Sequence, residues 1–179
     1  IGPRDGNTVE TLTRNADLAL YAAKDAGRGV YRFYADAMHD QASERKAIED
    51  SLREALARDE LALFYQPIVD VKSELISGFE ALIRWRRDTG NVVSPSKFIP
   101  IAEDSNLIVP IGEWIIRTAC DTIARLGPDY RVAVNVSPRQ FANAKLPATV
   151  KSALSASGIR TEHLELEITE GIFLAESPE

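Results

Sequence analysis

Cysteine is almost absent from this chain of 179 residues. The single one, Cys120, leaves no partner for an intrachain disulfide and no thiolate set for a zinc site. It lies in the run Ile115-Ile116-Arg117-Thr118-Ala119-Cys120, which predicts a buried, inert thiol. Positive charge is also short. Twenty-one Lys and Arg stand against 27 Asp and Glu, for a net charge of −6. A diffuse footprint for a nucleic acid polymer is thereby excluded, because phosphate binding needs clustered cations. An anionic ligand would need a metal ion or a few placed arginines. No uninterrupted apolar run approaches the ~20 residues that span a bilayer, so no membrane contact is expected of this segment. The opening Ile1-Gly2-Pro3-Arg4-Asp5 is no signal peptide and lacks Met, so a segment of a longer cytoplasmic protein is expected. What is present is the balance of a folded domain, 45% hydrophobic and 27% charged.

The chain divides near residue 36. From Asn15, the pattern Ala16-Asp17-Leu18-Ala19-Leu20-Tyr21-Ala22-Ala23-Lys24 predicts a short amphipathic helix stopped by Gly27. Val30-Tyr31-Arg32-Phe33-Tyr34 predicts a strand after it. Residues 35–44 are polar and unpatterned, as in a linker. A helix is expected over roughly 42–58, with Ile48, Leu52, Ala55 and Leu56 as its apolar stripe.

The period then changes. Leu61–Gln66 and Ile76–Arg86 read as strands joined by a turn at Ser73 and Glu74, which makes that pair antiparallel. Helices are expected around Pro95–Glu103, Ile108–Leu126 and Leu146–Ser157, and strands over Arg131–Val136 and His163–Thr169. Strands alternating with long helices indicate βαβ units, hence an α/β fold with a parallel sheet.

Alternation along these strands isolates a few polar residues. Period 2 puts Glu80, Leu82 and Arg84 on one face and Phe79, Ala81, Ile83 and Trp85 on the other. A charge on the inner face of a parallel sheet is costly unless paired or bound to a metal. A structural Glu80–Arg84 pair and a site explain this strand equally well. In Arg131–Ser137 three valines alternate with Ala133, Asn135 and Ser137. Asn is a poor strand former, although a turn before Pro138 would also explain it. Leu164, Leu166 and Ile168 alternate with Glu165, Glu167 and Thr169. Three strands thus each deliver an oxygen donor near the C-terminal end: Glu80, Asn135 and Glu167. Two carboxylates and an amide suit Mg²⁺ or Mn²⁺ rather than zinc or copper. Polar groups converging at the C-terminal ends of parallel strands describe the active face of a (β/α)₈ barrel.

The residues carrying this pattern also resemble a known family. Tyr65-Gln66-Pro67-Ile68-Val69-Asp70, Glu80-Ala81-Leu82-Ile83-Arg84-Trp85 and Phe98-Ile99-Pro100-Ile101-Ala102-Glu103 are similar to the opening of an EAL domain. Asn135-Val136-Ser137-Pro138-Arg139-Gln140-Phe141 and Leu166-Glu167-Ile168-Thr169-Glu170 continue the series in order. The resemblance covers roughly residues 38–179. It implies a bacterial signalling phosphodiesterase that hydrolyses cyclic di-GMP to linear pGpG, on a (β/α)₈ barrel of the TIM type whose first strand is antiparallel. It further implies Glu80, Asn135 and Glu167 as metal ligands, with the first acid of Glu167-Ile168-Thr169-Glu170 on the metal. Gln66 and Arg84 match positions that contact the dinucleotide, and two Mg²⁺ or Mn²⁺ ions are implied in the intact domain. The alternative it leaves open is a non-catalytic cyclic di-GMP receptor. Family members often dimerise, so a homodimer through the EAL domain is one partner expectation.

Ala16–Lys24 with Gly27-Arg28 is similar to the end of a GGDEF domain, in which the residues matching Lys24 and Arg28 contact a nucleotide. Residues 1–35 are therefore expected to be the C-terminal remnant of such a domain, 36–58 a linker and helix, and 59–179 the N-terminal half of an EAL-like barrel. A barrel of this kind runs to ~250 residues, so the later family motifs, with the general base and the second ion's ligands, are expected beyond Glu179. Half a barrel is expected to be inactive by itself.

Overall fold

The computed structural model describes residues 1–25, 29–87 and 90–168. Gly27, Arg28, Thr169 and Glu170 lie outside the described residues. The chain forms two units, Ile1–Asp50 and Ser51–Glu179.

In the first unit, helix α1 (Val9–Asp25) begins well before Asn15. Thr8 explains the earlier start. Its Oγ1 accepts from the Thr11 backbone N–H at 3.1 Å and so satisfies a donor the helix leaves free. Asn15 is buried and joins two segments. Its Nδ2 donates to the Asp5 carbonyl at 2.8 Å, and its Oδ1 meets His39 Nε2 at 3.2 Å. The strand expected over Val30–Tyr34 does not form. A strand needs a ladder partner, and none pairs with this segment among the described residues; Tyr31 and Phe33 stand exposed, edge to face at 5.6 Å. The expected linker is shorter too, because helix α2 spans Ala37–Ala55. Its first turns carry few apolar residues, so periodicity does not reveal them.

The second unit holds the sheet. Strands β1 (Leu61–Val69) and β2 (Ile76–Arg86) are antiparallel. In the turn between them, Asp70 Oδ1 accepts from the Lys72 and Ser73 backbone N–H groups and from Ser73 Oγ. Those Ser73 bonds hold the Asp70 carboxyl below the usual carboxylate range. A two-residue strand β3 (Val92–Val93), too short for any periodic signal, pairs with β2. Helices α3 (Pro95–Asp104) and α4 (Ile108–Leu126) follow, then strand β4 (Arg131–Val136), the single-turn helix α5 (Pro138–Phe141), helix α6 (Leu146–Ser157) and strand β5 (Leu164–Ile168). The sheet order is β1-β2-β4-β5, with β4 parallel to both β2 and β5. Gly78 allows a close β2–β4 approach, since a Cβ there would stand 2.6 Å from the Arg131 carbonyl oxygen.

The helices cover one face of this sheet. Ala81, Ile83, Trp85, Val132, Val134 and Val136 are all buried on it. Trp85 meets Phe98 of α3 edge-on at 5.5 Å, and Tyr65 donates its hydroxyl to Thr122 of α4 at 2.9 Å. Each fully buried aliphatic side chain here contributes roughly 1.5–3 kcal/mol. Cys120 belongs to this layer. Burial pushes its thiol up to about 11, in keeping with an inert core residue.

Candidate functional site

The opposite face of the sheet carries the polar residues. Register fixes which of them are neighbours. Gln66 on β1 lies directly across from Glu80 on β2, and Phe64 across from Leu82. On the parallel side Glu80 faces Ala133, and Asn135 faces Glu167 on β5. Adjacent strands are ~4.8 Å apart, so Glu80, Asn135 and Glu167 occupy three consecutive strands on one face.

Glu80 and Asn135 are in direct contact. Asn135 Nδ2 donates to Glu80 Oε1 at 2.7 Å, joining residues 55 apart in sequence. A carboxylate only accepts, so the amide nitrogen must face it, which leaves Asn135 Oδ1 as a donor atom for a cation. Glu80 is half-buried, whereas Asn135, Glu167 and Gln66 are exposed. The Glu167 side chain makes no hydrogen bond or ion pair among the described residues. Its neighbour Glu165 is engaged instead with Arg131, at 3.8 Å. That pairing separates two acids that alternation alone treats alike. No three His, Cys, Asp or Glu side chains gather among the described residues. Glu80, Asn135 and Glu167 present two carboxylates and one amide on neighbouring strands, hard oxygen donors of the kind that could hold Mg²⁺ or Mn²⁺.

Arg84 does not pair with Glu80. Its Nη1 donates to the Ile83 carbonyl at 2.8 Å, and its guanidinium carbon lies 5.7 Å from the Phe64 ring centre. Arg86 flanks the same ring at 5.2 Å. Neither Phe64 nor Arg86 stood out in the sequence, since one sits in an apolar run and the other at a strand end. Beside the end of β4, a cavity of about 290 Å³ is lined by Arg84, Phe98, Glu103, Ile111, Asn135 and Ser137, among others. Burial raises the Glu103 carboxyl above the usual range, with the Asp104 charge adding to the effect. Lys24 is exposed in the last turn of α1.

Known proteins resemble this chain in sequence and in fold. The family model described as "EAL domain" matches residues 49–179. An uncharacterized signaling protein of Caulobacter vibrioides is 45% identical over 168 residues, covering 94% of this chain and 21% of that protein. A Pseudomonas aeruginosa protein named bifunctional diguanylate cyclase/cyclic di-GMP phosphodiesterase MucR is 42% identical over 173 residues, covering 94% of this chain and 25% of its own length. The chain thus spans a quarter or less of these two relatives. Among solved structures, the PaMucR phosphodiesterase in complex with c-di-GMP superposes with a TM-score of 0.66 at 39% identity. That match covers 69% of this chain and 52% of the other.

Proposed function

The chain belongs to the EAL domain family, and on that premise we propose that, in the intact protein, it takes part in metal-assisted hydrolysis of cyclic di-GMP to linear pGpG. One observation carries the reading: the Asn135 amide donates to Glu80 while Glu167 stands opposite Asn135 on the same face. The resemblance to a phosphodiesterase solved with c-di-GMP supports it.

Glu80 and Glu167 would supply the anionic oxygens of the cation site, and Asn135 a neutral one. A divalent ion, Mg²⁺ or Mn²⁺, when bound there lowers the pKa of a water and offsets charge on the phosphate. Asn135, held by its bond to Glu80, keeps Oδ1 aimed away from that carboxylate. Arg84 offers a planar fork to a phosphate oxygen, and Gln66 an amide to the dinucleotide beside Glu80. Two ions are proposed for the intact domain.

The reading extends to architecture. The sheet is proposed as part of a (β/α)₈ barrel with β1 as its antiparallel strand. Residues 1–35, with Lys24 and Arg28, are proposed as the end of a GGDEF domain, 36–58 as the connection and 59–179 as barrel. The cyclase in the name of MucR supports this, since that match of 173 residues extends ahead of residue 49. A cytoplasmic location and a homodimer complete the reading; among the described residues no helix is long and apolar enough to cross a membrane.

The test is chromatographic detection of pGpG from cyclic di-GMP and Mg²⁺, using the intact protein and its Glu80→Ala variant. Turnover that Glu80→Ala abolishes, with the thermal melt kept, is the expected result. Near-normal turnover in the variant refutes the metal role. Binding without turnover in the unaltered protein identifies a receptor instead.

A further inference from the structure

Gly112, in the second turn of α4, leaves a notch that Gln140 fills. A Cβ at Gly112 would stand 1.6 Å from Gln140 Nε2 and 2.5 Å from its Cδ. Gln140 is only 6% exposed, unusual for an amide in a connecting turn. From the notch it closes a reciprocal pair. The Ser137 backbone N–H donates to Gln140 Oε1 at 3.2 Å, and the Gln140 backbone N–H donates to Ser137 Oγ at 3.3 Å. On the exposed side, Arg139 reaches Asp104 at 3.7 Å and Asn106 at 3.3 Å.

This turn begins two residues after Asn135, past the end of the β2–β4 register. Pairing of β2 with β4 ends at Ala81 opposite Val134. Asn135 lies one residue past that last register pair and opposite Glu167 on β5, while its side chain spans to Glu80 on β2. What fixes the departure of the chain from β4 is the Ser137–Gln140 turn, and Gly112 is what lets α4 hold that turn closely.

We propose that Gln140, seated against Gly112, is a positioning residue that sets Asn135 for cation binding. The proposal rests on the reading of Glu80, Asn135 and Glu167 as a cation site. Gln140 touches neither the ion nor the substrate; it acts through the chain between Ser137 and Asn135. Groups that orient metal ligands from behind are typically worth about 10–100-fold in affinity, and an effect through the backbone belongs at the lower end.

The experiment measures Mn²⁺ affinity by calorimetry, and Tm, for the intact protein and for Gly112→Ala, Gln140→Ala and the double variant. Gly112→Ala need displace only the far end of a flexible side chain, so the fold is expected to persist. Each single variant is expected to weaken Mn²⁺ binding about tenfold with little change in Tm. The double variant should match Gln140→Ala, because both changes break one contact. Unchanged Mn²⁺ affinity in folded Gly112→Ala and Gln140→Ala overturns the proposal. So does a loss in the double variant equal to the sum of the singles. If Gly112→Ala fails to fold, Gln140→Ala and Ser137→Ala decide by the same criterion. Failure of the underlying reading looks different: the unaltered protein and Asn135→Ala would bind Mn²⁺ equally or not at all, and the positioning role falls with it.

Discussion

Trp85 and Glu60 form a buried hydrogen bond: the indole N–H donates to Glu60 Oε2 at 2.8 Å, with both residues withdrawn from solvent. The Arg86 backbone N–H also donates to the Glu60 carbonyl at 2.8 Å, so the entry to β1 is tied twice to the end of β2. Trp85 fills the space under α3 and cannot reach water to replace a lost acceptor.

Glu60→Ala is therefore expected to cost roughly 1–3 kcal/mol, the penalty for a buried donor left without a partner. Glu60→Gln, which keeps a side-chain oxygen, should cost less. Urea unfolding of the two variants checks this, and equal stability of Glu60→Ala and the unaltered protein would show that the bond adds nothing.

Parity along strands made the two faces legible in sequence. Val132, Val134 and Val136 against Asn135, and Ala81, Ile83 and Trp85 against Glu80, sort as alternation demands. The short Ser73–Glu74 turn dictated the antiparallel β1–β2 pair for the same local reason. What sequence could not supply depends on register or on distant packing. Glu165 and Glu167 share one parity, and only the β4–β5 register puts Arg131 beside the first. The seat of Gln140 on Gly112 joins residues with no periodic relation. Val30–Tyr34 has strand composition without a partner strand, so composition misleads there.

Arg84→Lys is expected to weaken binding of cyclic di-GMP more than it disturbs the cation site. Arg84 lies four residues beyond Glu80 on one strand face, about 13 Å along it, too far to share a cation with it. Its guanidinium is already oriented by Phe64 and the Ile83 carbonyl. Lysine keeps the charge but loses the fork, so a loss of roughly 1–3 kcal/mol in binding is expected. Calorimetry on the intact protein, with Ca²⁺ replacing Mg²⁺ to suppress turnover, reads it. An unchanged Kd would leave Arg84 with a purely structural role.

Glu103 gives a pH signature. Burial, and then the neighbouring Asp104, raise its carboxyl in the folded chain, while Arg139 opposes them weakly. The unfolded chain returns it to the ordinary value of about 4.3. A raised folded value means that the native state holds the proton more tightly. This contribution to stability is complete below about pH 4 and is lost as pH rises through the folded value. At neutral pH the charged Glu103 is thus an unfavourable element of the native state. Glu103→Gln, neutral at every pH, should raise Tm at pH 7, and its advantage should shrink towards zero near pH 4. Melts of both proteins at the two pH values decide the matter. An advantage of the same size at both would trace the effect to packing of the amide and not to the charge.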